Sequence, residues 1–499
     1  MSEVRRKISL FLLLLLFTIT AAAQDAVIQR GCRRGTPRPV GMALRRGAPT
    51  GVTKRTGGDF YHGKRHQLTV MVEFNDRAFK GDEAATLAQW NKIFNAKNLT
   101  EEPFKGSVHD YFYAQSYGDF DLTFDLVYVK VKDNAKKYAS DDYDENSRFL
   151  VQDIMEVLQT RDIDWSLYDW NGDGFVNQLL IVYAGHGMND YSGDDLIWPH
   201  QWWMSDHFQD GEQEPYCDPI PVTYNGKEYK VDCYCALQEL TKNDDYGSFG
   251  TICHEYTHCF GFPDFYYSGG KTVNDWDLMD YGNYNGDGYL PPGYSAHERW
   301  LMGWLIPIVL DETTTITDMP ALAEEGRAYL IRNDGCENEY YIVENRQPMG
   351  WDAGLPSSGI LVFHIEFDPS IWTSTKVAPN SSSRKRYELF HANNKTSAYQ
   401  RADWPYPYQE NNSLTNTSSP AATLNNENLD GTKLMSKPIT NMAVNNGLAS
   451  FDFTVTTTGL CSQPSSLGLR PTVLYRFGPI DVVRTADGKI QKVVRRPLD

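Results

Sequence analysis

Apolar and polar positions alternate with period two along residues 67–74 (QLTVMVEF), which predicts a strand with one buried face. Residues 82–95 (DEAATLAQWNKIFN) instead space their apolar side chains as a helix does, behind an acidic start. A strand over 120–131, an amphipathic helix over 145–160 and a buried strand over 178–184 (QLLIVYA) come next. Helical spacing returns over 248–261 and again over 294–304. Strands mixed with long helices up to about Trp304 indicate an α+β or α/β unit.

After Pro307 the texture changes. Short runs such as YLIRN, EYYIVENRQ, GILVFHIEFD, YELFHA and ASFDFTVTT alternate with turn-rich segments, and helical periodicity disappears. This predicts an all-β, sandwich-like second domain. Residues 378–428 are heavy in Asn, Ser and Thr and read as including a long mobile loop. The chain thus divides into 1–23, 24–60, 61–306, 307–457 and 458–499, with no internal repeat.

The first segment has a basic start (Arg5-Arg6-Lys7), a short leucine-dominated run and Ala21-Ala22-Ala23, the layout of a cleaved signal peptide. The run is too short to span a bilayer comfortably, and no other stretch approaches that length. An exported protein without a transmembrane segment is the expectation. Residues 24–60 are basic and rich in Gly, Pro and Arg, too poor in apolar side chains to form a core. They read as a propeptide, with Arg45-Arg46 and Lys54-Arg55 as cleavage points. The net charge of −18 argues against nucleic acid as a partner, because phosphate binding needs a basic face. Eight scattered cysteines do not form a disulfide scaffold. Cys233 and Cys235 have the wrong spacing for a zinc ribbon and read as strand cysteines facing opposite sides.

The chemistry lies in TICHEYTHCFGFPDF. On a helix, His254 and His258 project from one face, one turn apart, as two ligands of one zinc ion must. Glu255 sits beside the first ligand, placed to take the proton of a water whose pKa zinc has lowered. Gly261 is suited to end the helix with a sharp left-handed turn that swings Asp264 back as third ligand. Three protein ligands leave a fourth position open, as a catalytic zinc requires. An alternative third ligand is Glu298, on the helix-like run with His297.

Farther on comes Trp276-Asp277-Leu278-Met279-Asp280-Tyr281. The extended HExxHxxGxxD helix with this methionine after it resembles the metzincin layout. GSVHDYFYAQSYGDFDLTF, YDWNGDGFVNQLLIVYAGHG, LIWPH and YYIVENRQPMGWDAG narrow the likeness to secreted bacterial metallopeptidases of the immune inhibitor A type. The resemblance spans roughly residues 65–370 and implies an α+β zincin/metzincin-like catalytic domain ahead of the all-β domain. It further implies a zinc endopeptidase made as a zymogen, while the broader metzincin layout implies Met279 beneath the zinc and Tyr281 as the phenol that stabilises the oxyanion. Asp280 and Tyr281 depart from the small residues that the family usually carries after the methionine.

Asp169, Asn171, Asp173 and Asn177, with Gly174 between them, match the first nine positions of an EF-hand loop. Leu180 stands where the loop's glutamate would be, so a calcium site and a plain Asn/Asp/Gly turn both remain open. Residues 283–288 (NYNGDG) read as a turn only. Cys32 in the propeptide is a conceivable thiolate stopper for the zinc. The tail RTADGKIQKVVRR resembles sorting segments recognised by the type IX secretion system. Proteolysis of extracellular proteins leads; a zinc hydrolase of a non-peptide amide and an adhesin with a dead site are the alternatives.

Overall fold

The N-terminal half is built on a five-stranded sheet whose inner strands are buried on both faces. β1 (Gly63–Glu73), α1 (Glu83–Asn95), α2 (Val108–Gln115), β2 (Phe120–Lys130) and α3 (Ser147–Leu158) come first. Two-residue β3 (Phe175–Val176) leads into β4 (Leu179–His186), β5 (His200–Trp203), β6 (Ile220–Tyr224), β7 (Lys227–Val231) and β8 (Cys233–Leu240). The order in the sheet is β2-β1-β4-β8-β5, parallel except for β5, which runs antiparallel along β8. A small sheet, β3-β7-β6, stands beside it. The computed structural model describes residues 61–139, 146–206, 217–247, 249–266, 272–372, 378–395, 401–455, 472–477, 480–484 and 490–494. The signal-peptide and propeptide readings, with Cys32, and Cys461 in the tail lie outside these residues.

Alternation along the strands explains the layers. Leu68, Val70, Val72, Leu179 and Ile181 face α3, whose Leu150, Val151 and Ile154 cover them. Met71, Leu180 and Val182 face the opposite way, onto α1, α2 and the helix α4 (Phe249–Cys259). Local chemistry agrees with each start. Asp82 caps α1 by accepting the Ala85 amide, and Ser107 with Asp110 forms a capping box on α2. The short α5 (Ala296–Leu301) begins with a second capping box, Ser295 with Glu298.

Beyond α5 the chain is β-rich: β9 (Ile308–Val309), β10 (Thr314–Met319), β11 (Ala328–Asn333), β12 (Cys336–Arg346), β13 (Gly359–Glu366), β14 (Tyr387–Leu389), β15 (Ile439–Asn445) and β16 (Leu448–Phe453). One sheet has the order β14-β13-β12-β11-β9 and another β10-β16-β15. Tyr329, Ile331, Val343 and Val362 pack against Phe451 and Phe453 of the second sheet. The intervening Leu330, Ile342, Phe363 and Ile365 join the core that holds α4. The β-region therefore shares its apolar interior with the N-terminal half, and the described residues up to Val455 form one compact unit. In the second unit, from Thr456 onward, β17 (Thr472–Phe477), β18 (Ile480–Arg484) and β19 (Ile490–Val494) form an antiparallel sheet.

Three sequence expectations differ from the structure. Single helical turns, Leu322–Glu325 and Pro369–Trp372, occur after Pro307, each too short to leave a periodic trace. Many Asn side chains between 378 and 428 are tied down rather than loose. Asn411 donates to the Ala392 and Ser419 carbonyls, and Asn428 to those of Leu434 and Met435. Cys233 and Cys235 do not face opposite sides. Residues two apart on a strand share a face, and both thiols hydrogen bond with Cys259 of α4. All six described cysteines are free. Among the described residues no helix is long and apolar enough to cross a membrane.

Candidate metal centre

α4 carries His254, Glu255 and His258 on its buried side. The helix packs so closely on the segment after the methionine that its second residue must be glycine. A Cβ on Gly250 would lie 1.9 Å from the Asn283 carbonyl oxygen, a backbone atom with nowhere to go. Gly250→Ala is therefore expected to push the helix and the 276–283 segment apart. It should lower the thermal unfolding midpoint and metal affinity together; a fully stable, metal-loaded variant would contradict this packing.

After Cys259 the chain tightens through the Gly261 amide, which donates to the His258 carbonyl at 2.8 Å. Gly261 has φ +97°, the conformation that lets the chain reverse. The reversal brings Asp264 back over the two rings. Its Oδ1 lies 3.2 Å from His254 Nε2 and 3.3 Å from His258 Nε2. Each Nδ1 is already used: it lies 2.8 Å from a carbonyl oxygen, that of Leu278 for His254 and that of Phe262 for His258. A carbonyl only accepts, so both Nδ1 atoms carry hydrogen and both Nε2 atoms turn to the same point as Asp264.

That point fits a metal. Among the described residues His254, His258 and Asp264 are the one group of three whose ligand atoms converge within 4.8 Å. His258 Nε2 and Asp264 Oδ1 are buried without a hydrogen-bond partner, as expected of atoms made to hold an ion. Burial disfavours a charged His254 ring, yet Asp264 outweighs it and lifts the imidazole to about 9. Burial also acts against the Asp264 carboxylate, but the histidines hold it below its ordinary range. Positive charge is thus favoured where the three side chains meet. Burial pushes the Glu255 carboxyl up, opposed by the charges of His254 and His258.

Glu298 is not brought to this point. Its Oε2 accepts the Ser295 amide at 2.7 Å and the Ser295 hydroxyl at 2.9 Å, closing the capping box of α5. Burial, and then the charge of Asp277, push this carboxyl well above its ordinary value. A carboxyl committed to capping α5 is not free to ligate a metal.

The 276–281 turn lies against the ligands. Met279 is fully buried, and its carbonyl accepts the Phe265 amide at 2.8 Å, directly after Asp264. Asp280 accepts the amides of Thr272, Val273 and Asn274 at 3.2, 3.0 and 2.8 Å. The Tyr281 ring is 6.0 Å from that of Tyr266, which lies nearly parallel to His254 at 6.5 Å. Two residues of the β-region that the sequence does not single out complete the support. The Tyr387 hydroxyl lies within hydrogen-bond distance of both Asp277, at 2.7 Å, and Ser295, at 2.8 Å, and its ring stacks on Phe265 at 3.9 Å. Asn380 donates to the carbonyls of Phe265 and Tyr387. Nothing local in the sequence marks either one.

The EF-hand-like residues lie apart from this centre, in the loop leading into β3. Asp169 Oδ2 accepts the Gly174 amide at 3.0 Å, and Asn177 Oδ1 accepts the Trp170 amide at 2.6 Å. Asn171 and Asp173 each accept an amide two residues on.

Comparison with curated proteins gave no match. Residues 64–302 do match the family model described as immune inhibitor A peptidase M6, catalytic domain. That span takes in the parallel sheet, α4, the reversal at Gly261, the methionine turn and α5. Residues 64–302 are thus similar to the catalytic domain of the metallopeptidases of the immune inhibitor A type.

Proposed function

We propose that this metallopeptidase is an exported zinc endopeptidase, made as a zymogen, that cleaves extracellular proteins. The observation that carries the reading is the convergence of His254 Nε2, His258 Nε2 and Asp264 Oδ1, two of them buried with no hydrogen-bond partner. Two imidazoles and one carboxylate are a donor set that zinc accepts in catalytic sites. When bound there, zinc supplies a Lewis acid that polarises a carbonyl and makes water easier to deprotonate. Glu255, next to the first ligand and buried, takes that water's proton on its carboxylate and passes it to the leaving amine. Met279 and the Asp280-anchored turn hold the Leu278 carbonyl that orients His254, an arrangement of metzincin kind. Tyr281, in the ring row with Tyr266 and His254, is the phenol nearest in kind to an oxyanion donor. β5 is an edge strand of the sheet, and an extended peptide is expected to align on it. The signal-peptide reading of 1–23 supports export, and the basic 24–60 stretch supports a removable propeptide. The sorting-like tail supports release through type IX machinery.

Casein hydrolysis by the mature protein, begun near Asp59, tests the reading. Cleavage should be lost on chelation and restored by zinc. Stoichiometric zinc without cleavage of casein would move the assignment to a non-peptide amide; absence of bound metal would overturn the site.

A further inference from the structure

A row of hydrogen bonds joins the methionine turn to the cap of α5 through β14. Asp277 Oδ2 lies 2.7 Å from the Tyr387 hydroxyl, which lies 2.8 Å from the Ser295 hydroxyl, itself 2.9 Å from Glu298 Oε2. All four residues are fully buried. Oxygen atoms this close have a hydrogen between them, so the row takes three hydrogens, and its two hydroxyls supply two. The amides that touch the row bring hydrogens of their own. Met279 donates to Asp277 Oδ1 at 2.8 Å, Ser295 to Glu298 Oε2 at 2.7 Å, and Glu298 to the Ser295 hydroxyl at 3.2 Å. The third hydrogen therefore has to come from a carboxyl.

We infer that Asp277 and Glu298 share a single proton, relayed through Tyr387 and Ser295, and that this proton clamps the methionine turn to α5 and β14. Two arrangements complete the row. In one, Asp277 is the acid and donates to Tyr387, which donates to Ser295, which donates to an ionised Glu298. In the other every hydrogen points the opposite way, so Glu298 is the acid and Asp277 is ionised. Moving the hydrogens along the row interconverts the two with no change in net charge. Two ionised carboxylates would leave one oxygen pair with no hydrogen between them, and Glu298 Oε1 as a buried charged atom without a partner. Burial pushes both carboxyls above their ordinary range. The charge of Asp280 adds to this at Asp277, that of Asp277 adds to it at Glu298, and Arg346 opposes it at both. The phenols of Tyr111 and Tyr294 also face Glu298, and burial keeps both neutral. The His297 ring lies 5.8 Å from that of Tyr387. The clamp sits one residue before Leu278, whose carbonyl orients His254.

The folded chain thus holds a proton that the unfolded chain releases above about pH 5. Its stabilisation is present in acid and is lost as pH rises through the raised range of the pair. Urea unfolding of the full chain across about pH 5–8, beside Asp277→Asn and Tyr387→Phe, tests the relay. In Asp277→Asn the Met279 amide fixes the side-chain oxygen, so the NH2 group faces Tyr387 and donates the third hydrogen permanently. Glu298 then has no place for a proton of its own. The unfolding constant of the parent should rise more steeply with pH than that of Asp277→Asn, by up to about tenfold per pH unit. Equal slopes overturn the shared proton. Tyr387→Phe keeps the ring on Phe265 but breaks the row, so its penalty should be greatest near pH 5 and shrink towards pH 8. A penalty that is the same at every pH would mean packing alone and would overturn the relay, even if Asp277→Asn fails to fold. Both variants are read by unfolding and not by cleavage, so the result stands apart from the peptidase reading.

Discussion

Glu255→Gln is expected to lower kcat for peptide cleavage by about 10²–10⁴-fold while the protein keeps its metal. Glutamine has the length and shape of glutamate but no carboxylate to accept a proton. Glu255 lies on the buried side of α4 between the two histidines, where burial raises its proton affinity and the histidine charges temper it. Raising the proton affinity of a general base brings it toward that of the water it deprotonates, which favours the transfer. Asp264→Ala should behave in the opposite order. It removes a direct contact to the converging Nε2 atoms, so metal affinity should fall by more than the ~10–100-fold typical of losing an outer partner, and activity should track metal content. Kinetics on a quenched peptide, beside zinc titration of both variants, separates the two roles. Glu255→Gln activity within tenfold of the parent would mean that another group takes the proton.

Arg346→Met is the change expected to harm stability most. The guanidinium is fully buried. It donates from Nε and one terminal nitrogen to Asp352 at 2.8 and 2.6 Å, and from the other to Glu344 at 3.1 Å. A further bond reaches the Gly293 carbonyl at 3.0 Å. Both carboxylates are committed elsewhere as well, Asp352 to the Gly293 amide and Glu344 to the Ala296 amide. Burial works against the charged arginine, but the two carboxylates outweigh it and raise its pKa. Methionine fills comparable space yet leaves two buried carboxylates without their cation, a loss of about 3–5 kcal/mol. Because the cluster grips residues 293–296, which lead into α5, thermal unfolding should shift down strongly and the 276–298 region should loosen first. Hydrogen exchange would show that order; uniform loss of protection would contradict it.

Much of the catalytic half can be read along the chain because its signals are local. Asp82 marks the start of α1, Gly261 the reversal after α4, and the spacing of His254, Glu255 and His258 the side they share. Asp264 is legible for the same reason, since one turn carries it back to the ligands. The helix α2 is harder to read although Ser107 and Asp110 form a capping box, because aspartate at the third position is a weaker cue than glutamate. The supports from farther away are not legible at all. Tyr387 and Asn380 reach the turn at 265–280 from across more than a hundred residues, and no pattern of period two or 3.6 encodes such a meeting. The same limit applies to the choice between Asp264 and Glu298. The sequence offers both carboxylates, and the capping of α5 by Glu298 emerges only in three dimensions.

The two-faced sheet β14-β13-β12-β11-β9 also bears on how this enzyme is to be handled and how it can have diversified. The family match ends at residue 302, but Leu330, Ile342, Phe363 and Ile365 lie in one interior with α4. A fragment cloned to the family boundary would expose that interior as a greasy wall and would tend to aggregate rather than report on catalysis. Shuffling the β-region between relatives as an independent cassette would fail for the same reason. The smallest portable piece of this peptidase runs through Val455.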